Sequence, residues 1–461
     1  MPFVLNKLKT VRVPCLLSFM LSGLLFQSAS AEDLNTIYQQ AAKNNATYQA
    51  ARYTYEAAKE NVPIAFGALL PAVSVASPTS FGRNFKTDVT ATAFTLNATQ
   101  QVFNYTHWTT YTQAQFQLKQ DALTYEQALQ NLINNVATGY FNVLEAEEQL
   151  KFSKANVISN KENLDQAEQQ YKVGLKAITD VESAKATYES AVATEINDAN
   201  SLQDAFQSLA ALTGQPEAAL SPLKDDFTKI TPSPADPMLW IQTALQHNLD
   251  VLLAKEQVAV DQAGVKVQQS AFYPTLNIQG NYAYANSSPG KSANNTSASL
   301  NASWDIFTGF STIHSVKQSE LTQQADQDTY QQTKRNTASA TQSDYLTVFS
   351  DVAQIKAYHQ AVISGQASVE AARAQYQVGT TTIYDLLQEQ TKLFQAQQQY
   401  ANSLYQYIRD SLQLKTDAGL LSPSDITAIN QWLDPNPNHQ VSLKETDHWA
   451  SNGYSKINTQ K

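Results

Sequence analysis

The sequence predicts a mainly α-helical chain with a small β contribution, written twice as one helix–strand–strand–long helix–helix unit. Three observations predict it. No Pro occurs from Thr79 to Gln215 or from Gly290 to Ser422; Pro breaks helix interiors at about 3 kcal/mol each, so these stretches can hold very long helices. The chain repeats itself: Asn45 to Pro71 aligns without a gap on Asn248 to Pro274. Between the helical stretches, apolar and polar residues alternate with period two, the mark of a strand with unlike faces.

The first 31 residues read as an export signal, with Lys7, Lys9 and Arg12 at the start, an apolar run from Val13 to Leu25, and Ala29-Ser30-Ala31 as a small-residue cleavage site. The lone Cys of the chain, Cys15, lies inside it, so the exported form is expected to carry neither disulfides nor thiolate metal sites. Three of the 31 Lys and Arg and none of the 41 acids fall in this segment, which leaves the exported chain at −13. Nucleic acid is not an expected partner, because phosphate binding needs clustered cations.

The first repeat is expected over 32–214. A helix runs from about 35 to 70, with Pro63 expected to kink or end it. A hairpin follows at about 72–103, in which Phe94, Leu96 and Ala98 alternate with Thr95, Asn97 and Thr99. A helix from about 104 to 171 comes next, roughly 100 Å at 1.5 Å per residue. Gly174 suits a left-handed helix C-cap, and a second helix runs from about 180 to 213. Ala184, Ala191, Ala199 and Ala205 on that helix allow close approach. The two shorter helices together match the length of the long one, so stacked end to end they would line it.

Residues 215–237, rich in Pro, read as a linker or equatorial segment. The second repeat, 238–420, carries a hairpin at about 275–307 in which Ala298, Leu300, Ala302, Trp304 and Ile306 alternate with Ser, Asn and Asp. Its long helix spans about 310–376, and Gly379 repeats the role of Gly174. Residues 421–461 read as an equatorial segment and a disordered tail.

Four half-apolar strands cannot close a barrel in lipid, where open edges leave backbone groups unpaired. Copies must therefore pool their strands, giving eight, twelve or sixteen for two, three or four chains. The polar faces of Ser, Thr, Asn and Gln suit a water-filled lumen; a soluble sandwich is the alternative. None of the six His (His107, His247, His314, His359, His439, His448) makes a metal-spaced pair, and neither a phosphate loop nor a nucleophile elbow occurs. No enzyme activity or cofactor is predicted. Trp108 and Trp304 are candidates for an interfacial aromatic belt. Asp180 and Asp385 each open a helix at its positive dipole end, and Thr179 with Glu182 is a candidate capping box.

The runs YKVGLKAITDV (Tyr171 to Val181) and YQVGTTTIYD (Tyr376 to Asp385), with ATGYFNVL (Ala137 to Leu144) and LTG (Leu212 to Gly214), resemble the TolC family of outer-membrane efflux and type I secretion channels. The resemblance covers about residues 32–425. It implies a homotrimer with a twelve-stranded β-barrel and an α-helical coiled-coil tunnel reaching from the outer membrane into the periplasm. The duct would be passive, opened on docking to a periplasmic adaptor and an inner-membrane transporter, and would carry drugs or secreted proteins. A trimeric surface coiled coil with a structural or adhesive role is the competing expectation. The same resemblance implies a gate at the turns of Gly174 and Gly379. There Asp180 and Tyr376 take part in a lock and Asp385 lies in a constriction ring. Thr381 stands where close relatives carry an Arg, and Gln388 where they carry a second ring aspartate, so a weaker lock and a ring of three carboxylates are expected.

Overall fold

A computed structural model of the chain describes residues 32–84, 87–216, 219–224, 234–287, 291–434 and 441–442. The export signal and Cys15 lie outside the described residues. Three helices, α1 (Leu34–Asn44), α2 (Ala46–Lys59) and α3 (Asn61–Gly67), lead to β1 (Ala72–Ala76), β2 (Thr79–Asn84) and β3 (Thr87–Phe103). The long helix α4 (Tyr105–Lys172) and its shorter partner α5 (Ile178–Thr213) complete the first repeat, and β4 (Ala219–Leu220) follows. The second repeat comprises α6 (Pro237–His247), α7 (Leu249–Gln269), β5 (Thr275–Ser287), β6 (Lys291–Ser303), α8 (Ser311–Gln377) and α9 (Ile383–Asp417). The chain closes with α10 (Pro423–Asn430) and β7 (Val441–Ser442).

At 68 and 67 residues, α4 and α8 each extend about 100 Å. Each is lined by shorter helices of its own repeat, α1, α2, α3 and α5 along α4 and α6, α7 and α9 along α8, and one asparagine per repeat makes the joint. Asn45 caps α2 by accepting from the Tyr48 N–H at 3.0 Å, while its Nδ2 donates to the Leu212 carbonyl at the end of α5, 3.1 Å away. Asn248 does the same for α7 and α9, accepting from Val251 N–H and donating to the Asp417 carbonyl at 2.9 Å. Orphan groups of two helix ends are thereby satisfied by one side chain. Pro63 does not kink a long helix: the chain breaks at Glu60, and Pro63 falls in the first turn of α3, where its missing N–H costs nothing.

The strands form one antiparallel sheet in the order β1-β3-β5-β6, with β2 also on β3. β1 and β2 are one strand interrupted around Pro78, whose carbonyl still accepts from Ala93 N–H at 3.0 Å. The β3–β5 ladder joins the two repeats. Phe94 faces Tyr284 and Leu96 faces Tyr282, both pairs exposed on one side. On the other side Asn281 donates to Asn97 and Asn301 to Asn277. The second hairpin stops at Ser303, short of the expected 307: Trp304 leaves the ladder and donates its indole N–H to the Phe272 carbonyl at 3.0 Å. Trp304, Trp108, Tyr105, Tyr273, Phe307 and Phe310 are all exposed at the strand-to-helix boundary.

The principal core lies at mid-height among α1, α4, α5, α8, α9 and α10, around Ile37, Tyr140, Phe141, Phe206, Val348 and Ile408. Tyr140 donates from this core to the Ser221 carbonyl at 2.7 Å. Of the tail, residues 431–434 and 441–442 are described, and the rest of the segment expected to be disordered lies outside the described residues. Lys224 N–H donates to Trp432, Asp434 N–H donates to Pro222, and β7 pairs with β4. The backbone around Pro222 supplies partners there that the polar composition of the tail does not reveal. No described helix is long and apolar enough to cross a membrane.

Candidate gate at the helical turns

Far from the sheet, α4 turns into α5 and α8 into α9, and the two turns share one geometry. Gly174 and Gly379 have φ of 78° and 81°. In each, the glycine N–H donates three residues back, to Tyr171 or Tyr376, and the next N–H donates to Gln170 or Gln375. This is the Schellman arrangement, in which a residue without Cβ takes the left-handed conformation and satisfies the last carbonyls.

The two helix starts that follow are unlike. In the second repeat Thr382 is the N-cap: Asp385 N–H donates to its hydroxyl, and the Asp385 carboxylate accepts from Thr382 N–H at 3.2 Å. The same carboxylate accepts from the hydroxyls of Thr382 and Thr381 at 2.6 and 2.9 Å. These donors hold the exposed Asp385 carboxyl below its usual range, because each stabilises the charged form. In the first repeat the expected Thr179–Glu182 box is absent. The N-cap is Ala177, which has no side chain able to cap, and Asp180 sits in the first turn. The register moved because the extended residue preceding the helix is Ala177, not Thr179.

A small local core fastens the four helices just behind the turns: Leu164 and Ala167 of α4, Val181 and Ala184 of α5, Ala372 and Tyr376 of α8, Ile383 and Leu386 of α9. Tyr376 is 2% exposed. Its hydroxyl donates to Gln170 Oε1 of α4 at 2.9 Å, and Lys176 lies 4.6 Å from its ring centre. Burial first, and the negative charge of Asp180 second, push the Tyr376 hydroxyl above its ordinary range, so it remains a donor. Thus Tyr376 and Asp180 are neighbours, but the hydrogen bond goes to Gln170. Thr381 is taken up by Asp385 and makes no link to α5. Gln388 is exposed on a groove of about 570 Å³ between α5 and α9, lined also by Ser183, Thr187 and Tyr384.

Sequence reasoning missed the second tie between the hairpins. Asn163 of α4 donates to Gln390 Oε1 at 2.5 Å, and Gln390 donates to Ser159 at 3.1 Å. Asn163 and Gln390 are both buried; amides at helical spacing within an otherwise apolar stripe were the available signal.

Among the described residues no His, Cys, Asp and Glu group has the arrangement of a metal centre. Two pairs of helices end in matched turns and are tied to one another by Tyr376–Gln170 and Asn163–Gln390, with the Asp385 carboxylate presented to solvent.

The family model described as outer membrane efflux protein matches residues 37–215 and 240–420, one segment per repeat. Outer membrane protein TolC of Escherichia coli is 29% identical over 467 residues, covering 96% of this chain and 94% of that protein. The alkaline protease secretion protein AprF of Pseudomonas aeruginosa is 27% identical, covering 88% of each chain. Among solved structures, the Campylobacter jejuni CmeC outer membrane channel superposes with a TM-score of 0.74 at 18% identity, over 93% of this chain and 98% of that one.

Proposed function

The chain belongs to the outer membrane efflux protein family, and on that premise we propose that three copies pool their sheets into a twelve-stranded barrel continued by a helical tunnel. It is an outer-membrane channel of the efflux and secretion class, working with a periplasmic adaptor and an inner-membrane pump. The observation that carries the trimeric reading is the sheet itself. β6 and the β1–β2 strand end it with unpaired edges, one face is apolar and exposed, and the other is a ladder of Asn, Ser, Thr and Gln. In lipid every edge must be paired, and twelve strands leave a lumen that the polar face can line. The exposed aromatics around Trp108 and Trp304 would then ring the membrane boundary.

The tip is the gate in this reading. Tyr376 with Gln170, and Asn163 with Gln390, hold the second hairpin against the first. Asp180 acts on that lock through its charge beside Tyr376. Asp385 contributes one carboxylate per chain to the narrowest ring, and Gln388 adds no charge one turn later. Residues 32–214 and 238–420 are the two repeats of the duct, and the described residues 219–224 and 421–434 pack together beside the principal core as a collar.

Planar-bilayer recording of the purified protein, with chemical cross-linking to count subunits, tests the reading. Small closed-state conductance that rises when the tip ties are cut, from a species of three chains, is the expected result. A stable monomer without conductance would overturn it.

A further inference from the structure

At two places between α8 and α9 one carboxylate meets another. Asp344 faces Asp417, and seven residues further along the same side of α8 Asp351 faces Asp410. Both pairs flank the mid-height core, where Tyr345, Val348, Ile408 and Leu412 exclude water. Asp351 is 7% exposed. One oxygen of Asp344 and one of Asp351 are sealed from solvent without a hydrogen-bond donor.

The cations nearby are committed elsewhere. Arg409 turns to Glu145 and Asn142 of α4, and Lys415 turns to Asp425 of α10 at 2.7 Å. On the α6 and α7 side, His247 bonds the Thr243 carbonyl and Asp250 accepts from Gln127, while Tyr345 donates to the Ala235 carbonyl. Gln406 donates to both oxygens of Asp410 at 2.9 and 3.0 Å, and Gln413 donates to Asp417 at 2.8 Å. The α9 acids therefore have donors and are held as acceptors. The α8 acids have none, and a buried oxygen whose only polar neighbour is another carboxylate is satisfied only by a proton between them.

We propose that the α8–α9 seam is a proton-held clamp, in which Asp344 and Asp351 each carry a proton shared with Asp417 and Asp410 and release it to loosen the second-repeat hairpin. Nothing in this inference depends on the channel reading. Desolvation, then the facing carboxylate, moves Asp344 and Asp351 up from 3.8 to about 7. The sign follows. A raised folded value means the seam is fully held below about pH 4, is weakened as pH rises, and has lost its protons above about pH 7.

Hydrogen–deuterium exchange on the full-length assembly, corrected for intrinsic rates, tests this with peptides covering 341–355 and 406–417. Protection should fall about tenfold for each pair between about pH 6 and about pH 8, since one unit of proton affinity is tenfold in the opening equilibrium. The double variant Asp344→Asn, Asp351→Asn should lose this slope and exceed wild type in protection at the higher pH. Should that variant fail to assemble, Asp410→Asn with Asp417→Asn must flatten the profile in the same way, because either partner can supply the proton. Wild-type protection that does not change with pH would overturn the clamp. So would a neutral variant that keeps the slope, or a wild-type profile shifted by a chelator, which would mean a metal cation bridges the carboxylates.

Discussion

Asn248 Nδ2 donates to the Asp417 carbonyl at 2.9 Å, and through that single bond α9 ends where α7 begins. The joint also requires Gly419, at φ 69°: a Cβ there would lie 2.1 Å from the His247 carbonyl oxygen. In the first repeat the corresponding Gly214 is less crowded, its Cβ meeting that of Asn44 at 3.2 Å. Backbone cannot yield as a side chain can, and φ is positive at both positions. Gly419→Ala is therefore expected to destabilise the assembly more than Gly214→Ala. Asn248→Ala should cost about 1–2 kcal/mol through the lost cap and bridge. Denaturant midpoints of the three variants check the order.

Tyr376→Phe keeps the ring in its core and removes only the bond to Gln170. The expected loss is about 1 kcal/mol per chain, with Gln170 able to turn to water. Stability should fall by no more than that, while single-channel conductance or open time rises. A variant indistinguishable from wild type in bilayer recordings would remove Tyr376 from the lock.

Asp385 is held charged by Thr381 and Thr382. Its depressed range means that its charge persists as pH falls and disappears only below about 3.8. Block of the channel by multivalent cations should accordingly be constant from neutral pH to about pH 4, then fade. Asp385→Asn should abolish this block at all pH values. Thr381→Val, with one donor fewer, should let the block fade at higher pH than wild type. Conductance titrations with a divalent cation read all three.

What could be read from the chain and what could not divide along a physical line. The long helices were legible to within a residue or two, because absence of Pro over more than 130 positions and left-handed glycines at Gly174 and Gly379 are local facts. So was the sidedness of β3 and β5, which period two encodes. The ties across helices were not. Nothing in the neighbourhood of Gln170 in sequence says that it will accept from Tyr376, and the Asn163–Gln390 bond spans 227 positions. The same limit misplaced the first capping box: Thr179 and Glu182 have the right spacing, but the chain enters the helix two residues earlier, at Ala177. Nor does composition reveal that Trp304 trades its place in the strand for a bond to Phe272.

The buried amide pair gives a sharper test of the tip than Tyr376 does. Gln390→Leu leaves Asn163 buried with an unanswered donor, at a cost of about 1–3 kcal/mol. Asn163→Leu alone strands Gln390 in part, since Ser159 still accepts from it. The double replacement removes both polar groups from a largely apolar site and should recover much of the loss. A double-mutant cycle on thermal or denaturant midpoints measures this coupling. Additive losses would show that the two amides do not act as a pair.

The duplication also shows where the first repeat lacks a contact that the second possesses. Ala177 precedes α5 with φ −82° and ψ 155°, and Thr382 precedes α9 with φ −89° and ψ 160°. The backbones are the same within the scatter of one conformation, and each has an aspartate three residues on, Asp180 or Asp385. Ala177→Thr should thus complete a capping box with no rearrangement, its hydroxyl accepting from Asp180 N–H and the Asp180 carboxylate accepting from the residue 177 N–H. A gain of about 0.5–1 kcal/mol per chain is expected from replacing Ala at an N-cap. The charge of Asp180 would then be drawn toward the cap and away from Tyr376, so the variant should combine higher stability with a changed open probability. Thr382→Ala, the reverse change in the second repeat, should lower stability by a similar amount and free Asp385 from its strongest donor. Thermal midpoints of the two variants moving in opposite directions are the expected outcome; movement in the same direction would mean that the caps are not what distinguishes the two helix starts.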